Sequence, residues 1–275
     1  MTMPAIRRMT AADLDHVLDW AAVEGWNPGL GDAAAFHAAD PEGFLLAEVA
    51  GDPVGAISVV NHSDVFAFLG LYLCRPEWRG QGIGMALWRE GLTHAGGRTI
   101  GLDGVAAQEA NYARSGFVRT GATIRFEGPR VTGDSPTLRP MRPEDLPALL
   151  ALDRRATGVE RARFLSAWTR TTSDRRTIVL EEGGAIQGFA TARLCRLGCK
   201  IGPIIAPDAE CGLALTASEA EIGTRVIDVP EANHEFISAL VARGYRETFR
   251  TARMYRGPAP QGDGREQAIA TMELG

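Results

Sequence analysis

"RPEWRGQGIGMALW", residues 75–88, carries three glycines at alternating positions, Gly80, Gly82 and Gly84, between an apolar run and a stretch patterned as a helix. Glycine weakens regular structure, so three of them in five residues need a reason. At a strand-to-helix turn they clear side chains from a concavity into which backbone N–H groups point, at the positive end of the helix dipole. That arrangement suits phosphate oxygens. Arg79, at the entrance, adds a charged donor or shapes the loop. The same glycines also suit a tight turn that packs strand on helix, and the stretch alone does not choose between the two.

Working outward, "VFAFLGLYLC" (65–74) predicts the strand that enters the turn, and a helix over 82–96 leaves it. Upstream, "GFLLAEV" and "VGAISVV" predict a hairpin joined by "AGDP". Before that come a helix over 10–25 with Thr10 as its cap, the loop "GWNPGLGD", and a short helix near 32–40. Downstream, "TIGLDGV" is a strand, 106–115 a helix and "TGATIRFEG" a last strand. The order predicts an α+β fold, a mixed and mostly antiparallel twisted sheet flanked by helices, with one parallel crossover through the glycine turn.

The chain also resembles itself at a spacing of about 130 residues. "IRRMTAADL" (6–14) matches "LRPMRPEDL" (138–146), and "FLLAEVAGDPVGAISVV" (44–60) matches "TIVLEEGGAIQGFATAR" (177–193), aligning Glu48 with Glu181 and Gly55 with Gly188. "RSGFVRTGATIRFEGP" (114–129) matches "ARGYRETFRTARMYRGP" (242–258). A repeat of this length is a whole domain and not a solenoid unit. The expected organisation is a first copy over 1–127, a linker over 128–136 in the Gly/Pro/Ser-rich "EGPRVTGDSP" region, a second copy over 137–257, and a tail over 258–275. The end of the tail suits a short helix, a short strand or disorder.

Composition narrows the function. With 275 residues, 45% of them hydrophobic and 23% charged, the chain can bury substantial cores. A net charge of −5 with no basic stripe argues against a nucleic-acid partner and mildly favours a cationic or neutral small substrate. No run is long and apolar enough for a membrane span, and the start lacks a signal-peptide core, so no membrane partner and a cytoplasmic location are expected. Four cysteines without a secretion signal predict free thiols. Cys195 and Cys199, in "CRLGC", lack a second ligand pair, so no metal is expected. The oligomeric state is not legible.

Two phosphate-binding readings compete for the glycine turn. A dinucleotide site wants a third glycine where Leu87 stands, although Asp103 lies at the distance expected of a ribose-binding acid. A nucleotide P-loop is missing its Lys-Ser/Thr pair. "RGQGIG" (79–84) instead resembles the Arg/Gln-x-x-Gly-x-Gly/Ala signature of the GNAT N-acetyltransferase superfamily, and "YARSGF" (Tyr112 to Phe117) is similar to that family's Tyr-x-x-x-Gly-Phe element. The resemblance spans residues 4–127, and "VPEANHEFISALVARGY" (229–245) resembles the matching segment in the second copy. It implies two tandem GNAT-like domains.

The resemblance implies acetyl-CoA, or another acyl-CoA, as cosubstrate, with its pyrophosphate on the backbone of Arg79, Gly80, Gln81, Gly82, Ile83 and Gly84. The pantetheine arm is expected along Leu71, Tyr72 and Leu73 like an added strand, with an N–H near Leu73 polarising the thioester carbonyl. These residues serve equally as plain core strand. Tyr112 matches the tyrosine that protonates the departing thiolate; the alternative is a tyrosine packed on its helix. The family's asparagine seven residues earlier is Val105 here, with Asp103 and Asn111 as the polar groups nearby. Asp103 suits proton uptake from an ammonium, binding of that cation, or helix capping. Glu24, in "EGWNPG", is a candidate base or cation anchor, and Trp26 and Asn27 are candidate acceptor contacts, all three equally compatible with a plain connecting loop. Cys74 has no histidine close in sequence to activate it, which argues against a covalent acyl-cysteine.

The second copy is expected to be degenerate. Its segment "IIAPDAECGLAL" (204–215) has one glycine and places Asp208 and Glu210 where phosphates would be repelled, and Leu240, seven after Asn233, takes the tyrosine's place. It is expected to bury a face of the first copy and to wall the acceptor cleft. The implied function is transfer of an acetyl group directly from the CoA thioester to a primary amine of a small acceptor by the first copy. A non-catalytic acyl-CoA sensor or regulator is the alternative.

Overall fold

A computed structural model of the protein describes residues 4–130, 137–217 and 223–275. The first copy runs β1 (Ala5–Arg8), α1 (Ala11–Val23), α2 (Asp32–Ala39), β2 (Phe44–Val49), β3 (Asp52–Asn61), β4 (Phe66–Cys74), α3 (Ile83–Ala95), β5 (Thr99–Gly104), α4 (Glu109–Arg114) and β6 (Val118–Gly128). The second repeats it as β7 (Leu138–Pro140), α5 (Leu146–Thr157), α6 (Ala162–Trp168), β8 (Arg175–Glu182), β9 (Ala185–Leu194), β10 (Cys199–Ile205), α7 (Ala209–Thr216), β11 (Arg225–Pro230), α8 (His234–Ala242) and β12 (Arg246–Arg256). A last strand, β13 (Glu266–Ala268), lies in the tail.

The residues shared by the two copies do the same structural work. Arg7 holds Asp13 at 2.7 Å and Glu48 at 2.7 Å. Arg139 holds Asp145 at 2.6 Å and also pairs with Glu181. Each triad ties the first strand to the start of the first helical element and to the next strand. In the first copy Thr10 and Asp13 complete a reciprocal cap on α1. Gly116 and Gly244 both adopt φ of 87°, ending α4 and α8 in the left-handed turn that glycine accepts at no steric cost.

Among the described residues the two copies are joined edge to edge, in one sheet of thirteen strands, and not by one burying a face of the other. The strand order is β1-β2-β3-β4-β5-β12-β6-β11-β10-β9-β8-β7, with β13 on β10. The final strands are therefore exchanged. β12 of the second copy pairs antiparallel with β5 of the first, β6 of the first pairs with β11 of the second, and β6 and β12 pair with each other. Helices also meet across the join: Phe36 of α2 stacks on Trp168 of α6 with ring centroids 5.8 Å apart. Buried Asp32 pairs with two arginines of the other copy, Arg175 at 2.8 Å and Arg193. Both guanidinium groups lie 4.5 Å from the centre of the Trp168 ring.

The tail is built into the fold. From Gln267 to Leu274 every residue is buried, and the segment crosses from the second copy to the first. It passes over two glycines: a β-carbon at Gly202 would strike the Ile269 carbonyl, and one at Gly70 would strike the Glu273 carbonyl. Part of the boundary region, 131–136, lies outside the described residues.

Candidate active site

In the first copy, β4 and β5 pair in parallel from Phe66/Thr99 to Leu69/Leu102 and then part. At that point β4 bulges: its register with β3 slips between Ala56 and Ser58, and Leu71 takes φ of 43°. The split opens a chamber of about 630 Å³, counting its open mouth. Leu69, Gly70, Leu71 and Tyr72 line one side, and Leu102, Asp103, Val105, Gln108 and Tyr112 another. Trp26, Arg125, Phe249, Thr251, Met272 and Glu273 complete the lining.

The glycine turn sits at the exposed N-terminus of α3. Gly80 and Gly82 adopt φ of 76° and 84° with nothing within 4 Å of where a β-carbon would stand. Gly84 has a different reason: a β-carbon there would lie 2.7 Å from the Tyr72 hydroxyl. The first helical bond runs from the Ala86 N–H to the Gly82 carbonyl, so the amides ahead of it have no intrahelical partner. Arg79 shapes the loop, donating to the Cys74 carbonyl at 2.9 Å and pairing with Glu24 at 2.7 Å.

Tyr112 is fixed by an aromatic cluster. Its ring stacks on Trp88 at 5.6 Å, Trp88 meets Tyr72 at 5.5 Å, and Phe117 packs on both Trp88 and Tyr112. Gly104 leaves room for the ring, since a β-carbon there would lie 2.5 Å from it. Burial pushes the Tyr112 phenol up to about 12, so it carries its proton at any neutral or mildly basic pH.

The candidate polar residues separate. Asp103 is not free for proton uptake: its enclosed carboxylate pairs with Arg253 at 2.6 Å and accepts from the hydroxyls of Thr123 at 2.8 Å and Thr251 at 3.2 Å. Glu24 is exposed, bound to Arg79, and absent from the chamber wall. Trp26 does line the chamber. Asn27 instead fastens the copies together, donating to the Leu197 carbonyl at 2.8 Å and accepting from its N–H at 3.2 Å. The four cysteines are free thiols.

Reading along the chain missed Arg125, Phe249, Met272 and Glu273. Arg125 grips Asp228 through two bonds of 2.7 and 2.9 Å and donates to the Trp26 carbonyl at 3.1 Å. Lys200 is buried beside it and donates to the same carbonyl at 3.0 Å. Burial and the Arg125 charge loosen the Lys200 proton.

The equivalent split in the second copy is filled. β10 and β11 pair in parallel at Cys199 and Lys200; beyond that β13 pairs with β10, and the Ile269 N–H donates to the Asp228 carbonyl of β11 at 2.9 Å. The Asn233 amide donates to the carbonyls of Glu266 and Gln267. At the start of α7 the Asp208 carboxylate accepts from the Cys211 N–H at 2.8 Å, so the chain's own anion caps this helix start. The counterpart of Tyr112 is Leu240: the Phe117 N–H bonds the Tyr112 carbonyl at 3.2 Å, and the Tyr245 N–H bonds the Leu240 carbonyl at 3.1 Å.

A strand split beside an uncapped, glycine-lined helix start defines the acyl-CoA-binding architecture of the GNAT superfamily, and the comparisons agree. The Acetyltransferase (GNAT) family model matches residues 11–120, and the Acetyltransferase (GNAT) domain model matches 149–268. The chain belongs to the GNAT superfamily, as a tandem-domain acyltransferase that takes its acyl group from CoA. It is 36% identical, over 94% of its length and 90% of the relative's, to the holothin acyltransferase of Pseudoalteromonas sp. (strain SANK 73390). Among solved structures it is similar to a candidate acetyltransferase of Pyrococcus horikoshii, with a TM-score of 0.84 and 22% identity over 100% of this chain and 97% of that one. It is also similar to a tandem GNAT protein from the clavulanic acid biosynthesis pathway, with a TM-score of 0.61 and 16% identity over 93% and 99% of the two chains. Among the described residues no helix is long and apolar enough to cross a membrane.

Proposed function

We propose that the protein transfers an acetyl group from acetyl-CoA to the primary amine of a small acceptor, using the first copy alone. The observation that carries this is the contrast between an open split with free helix-start amides and Tyr112 at its wall, and a second split plugged by the tail. The residues present fit the donor. The amides of Gly80 to Gly84 and the open space around Gly80 and Gly82 suit its pyrophosphate, and the freed edge of Leu71, Tyr72 and Leu73 suits its pantetheine arm. Acetyl-CoA supplies the activated acyl group as a thioester. The backbone N–H near Leu73 polarises the carbonyl, and Tyr112 holds the proton that the departing sulfur takes.

Residues of β6, β12 and the tail wall the chamber, which suits an enclosed small acceptor. Holothin, the acceptor in the name of the similar acyltransferase, belongs in the first panel of amines. Calorimetry should find one acetyl-CoA per chain and no binding of NAD(P), and free-CoA release should follow addition of a suitable amine. If neither acetyl-CoA nor longer acyl-CoAs bind, the reading falls. Tight binding with no turnover across a broad panel would replace it with the sensor.

A further inference from the structure

The chamber holds one carboxylate that stands outside every salt bridge recorded among the described residues. We propose that Glu273, carried in by the tail, receives the acceptor's amine: it binds the ammonium form and takes up its proton. The assignment rests on the reading of the chamber as an acyl-transfer site.

Three carboxylates have been in view, and geometry removes two. Asp103 faces the chamber, but Arg253, Thr123 and Thr251 use up its acceptor capacity. Glu24 lies outside the wall. Glu273 lines the chamber and is buried, 4% exposed. The Thr271 hydroxyl donates to its Oε2. Its backbone crosses Gly70, the residue at which β4 leaves β5 and the one before the bulge at Leu71. Glu273 is thus held in the chamber wall against the strand on which the thioester is expected to lie.

The delivery is rigid. β13 is paired into the second copy's split. The Leu274 carbonyl is bonded to His62 Nε2 at 2.8 Å, and the Gly275 carbonyl accepts from Arg161 at 2.6 Å. The Gly275 N–H closes a turn onto the Thr271 carbonyl at 2.9 Å. Among the cations near Glu273, Arg125 is paired with Asp228 and Arg193 shares Asp32 with Arg175, while Lys200 donates to the Trp26 carbonyl alongside Arg125. An ammonium entering the chamber therefore meets in Glu273 a carboxylate with no ion pair of its own among the described residues.

The proton balance closes. Glu273 takes the ammonium's extra proton and later releases it to solvent. The neutral nitrogen forms the C–N bond as the C–S bond breaks. The Tyr112 proton goes to sulfur, and the surplus N–H proton restores the phenol.

The test is Glu273→Gln in the full chain, which keeps the shape and the Thr271 bond but removes the charge. Acceptor kcat/KM at neutral pH should fall at least ~100-fold, as expected for loss of a general base, with the acetyl-CoA Kd unchanged within about twofold. The deficit should shrink as pH rises toward the acceptor's own pKa, because more amine then arrives neutral. Glu273→Asp, which keeps the charge one methylene back, should lose less and keep the acid limb of the pH profile. An unchanged acceptor kcat/KM and pH profile in Glu273→Gln overturns the assignment. So does a deficit that is constant with pH and matched by weaker acetyl-CoA binding, which would mark a structural role. If Glu273→Gln does not fold, Glu273→Asp decides: acceptor kinetics identical to wild type overturn the proposal. A wild-type chain that binds no acyl-CoA removes the underlying reading, whereas wild-type turnover with an unaffected variant removes only Glu273.

Discussion

Along β4 and β10 the chain makes the same split twice and treats it oppositely. In the first copy the strands part at Leu69 and Leu102 and the space stays open; in the second they part after Lys200 and Val226, and β13 occupies the gap. The helix start beside the first split presents uncapped amides behind Gly80 and Gly82; the one beside the second is closed by Asp208. Val105 and Asn233 complete the contrast. The copy with the open split has lost the asparagine of its family's pattern, while the plugged copy keeps it and spends its amide on tail carbonyls. The second copy's split is thus a socket for the chain's own backbone.

That comparison can be broken from either side. The largest effect should come from Tyr112→Phe, which moves the first copy toward the Leu240 of the second. Turnover should fall by roughly 10²–10⁴-fold, the range for loss of a general acid, with acetyl-CoA affinity unchanged. In the wild type, burial holds this phenol up to about 12, so its acid form persists and the pH–rate profile should show no basic limb from it below about pH 11. A turnover number equal to wild type in the variant would remove Tyr112 as the acid.

Gly82→Asp gives the first helix start the carboxylate of the second. A side chain at φ of 84° costs roughly 1–2 kcal/mol, and the charge competes for the amides. Acetyl-CoA affinity should drop about 100-fold, or ~3 kcal/mol, in a calorimetric titration. Equal affinity would mean that the turn serves packing alone. The smallest effect should come from Asp208→Ala, the reverse change. Loss of this cap should cost ~1 kcal/mol of stability in urea unfolding, and the count of acetyl-CoA bound should stay at one per chain because β13 still fills the split. A second bound acetyl-CoA would show that Asp208, and not the tail, closes the site.

Much of this was legible beforehand because it is local. The Arg7–Asp13–Glu48 and Arg139–Asp145–Glu181 triads are residues that the internal repeat had already aligned, and the glycine turn stands between the strand and helix that its neighbours predict. The exchange of β6 and β12 was not legible. Each strand mixes buried apolar residues with arginines on both faces, Arg125 and Arg253 inward and Arg119 and Arg250 outward, so the pattern fits either neighbour equally. Asp103 looked available because its partner, Arg253, lies 150 residues away. The tail's path was left open between helix, strand and disorder for a related reason: "QAIATMELG" is too short for a period to show, and its burial depends on Gly70 and Gly202, two glycines far upstream.

The exchanged strands also bear on how the enzyme comes into being. When a ribosome has released residues 1–128, β5 has no β12 beside it and β6 has no β11. Either the two pair with each other for a time and must later be pried apart, or they wait with exposed edges that invite aggregation. The wall that carries Phe249, Thr251 and Glu273 is translated after everything else in the chamber. With the chamber as the proposed site, activity should appear only once the second copy and the segment through Glu273 have been made, and a gene cut between the copies should yield an inactive first half.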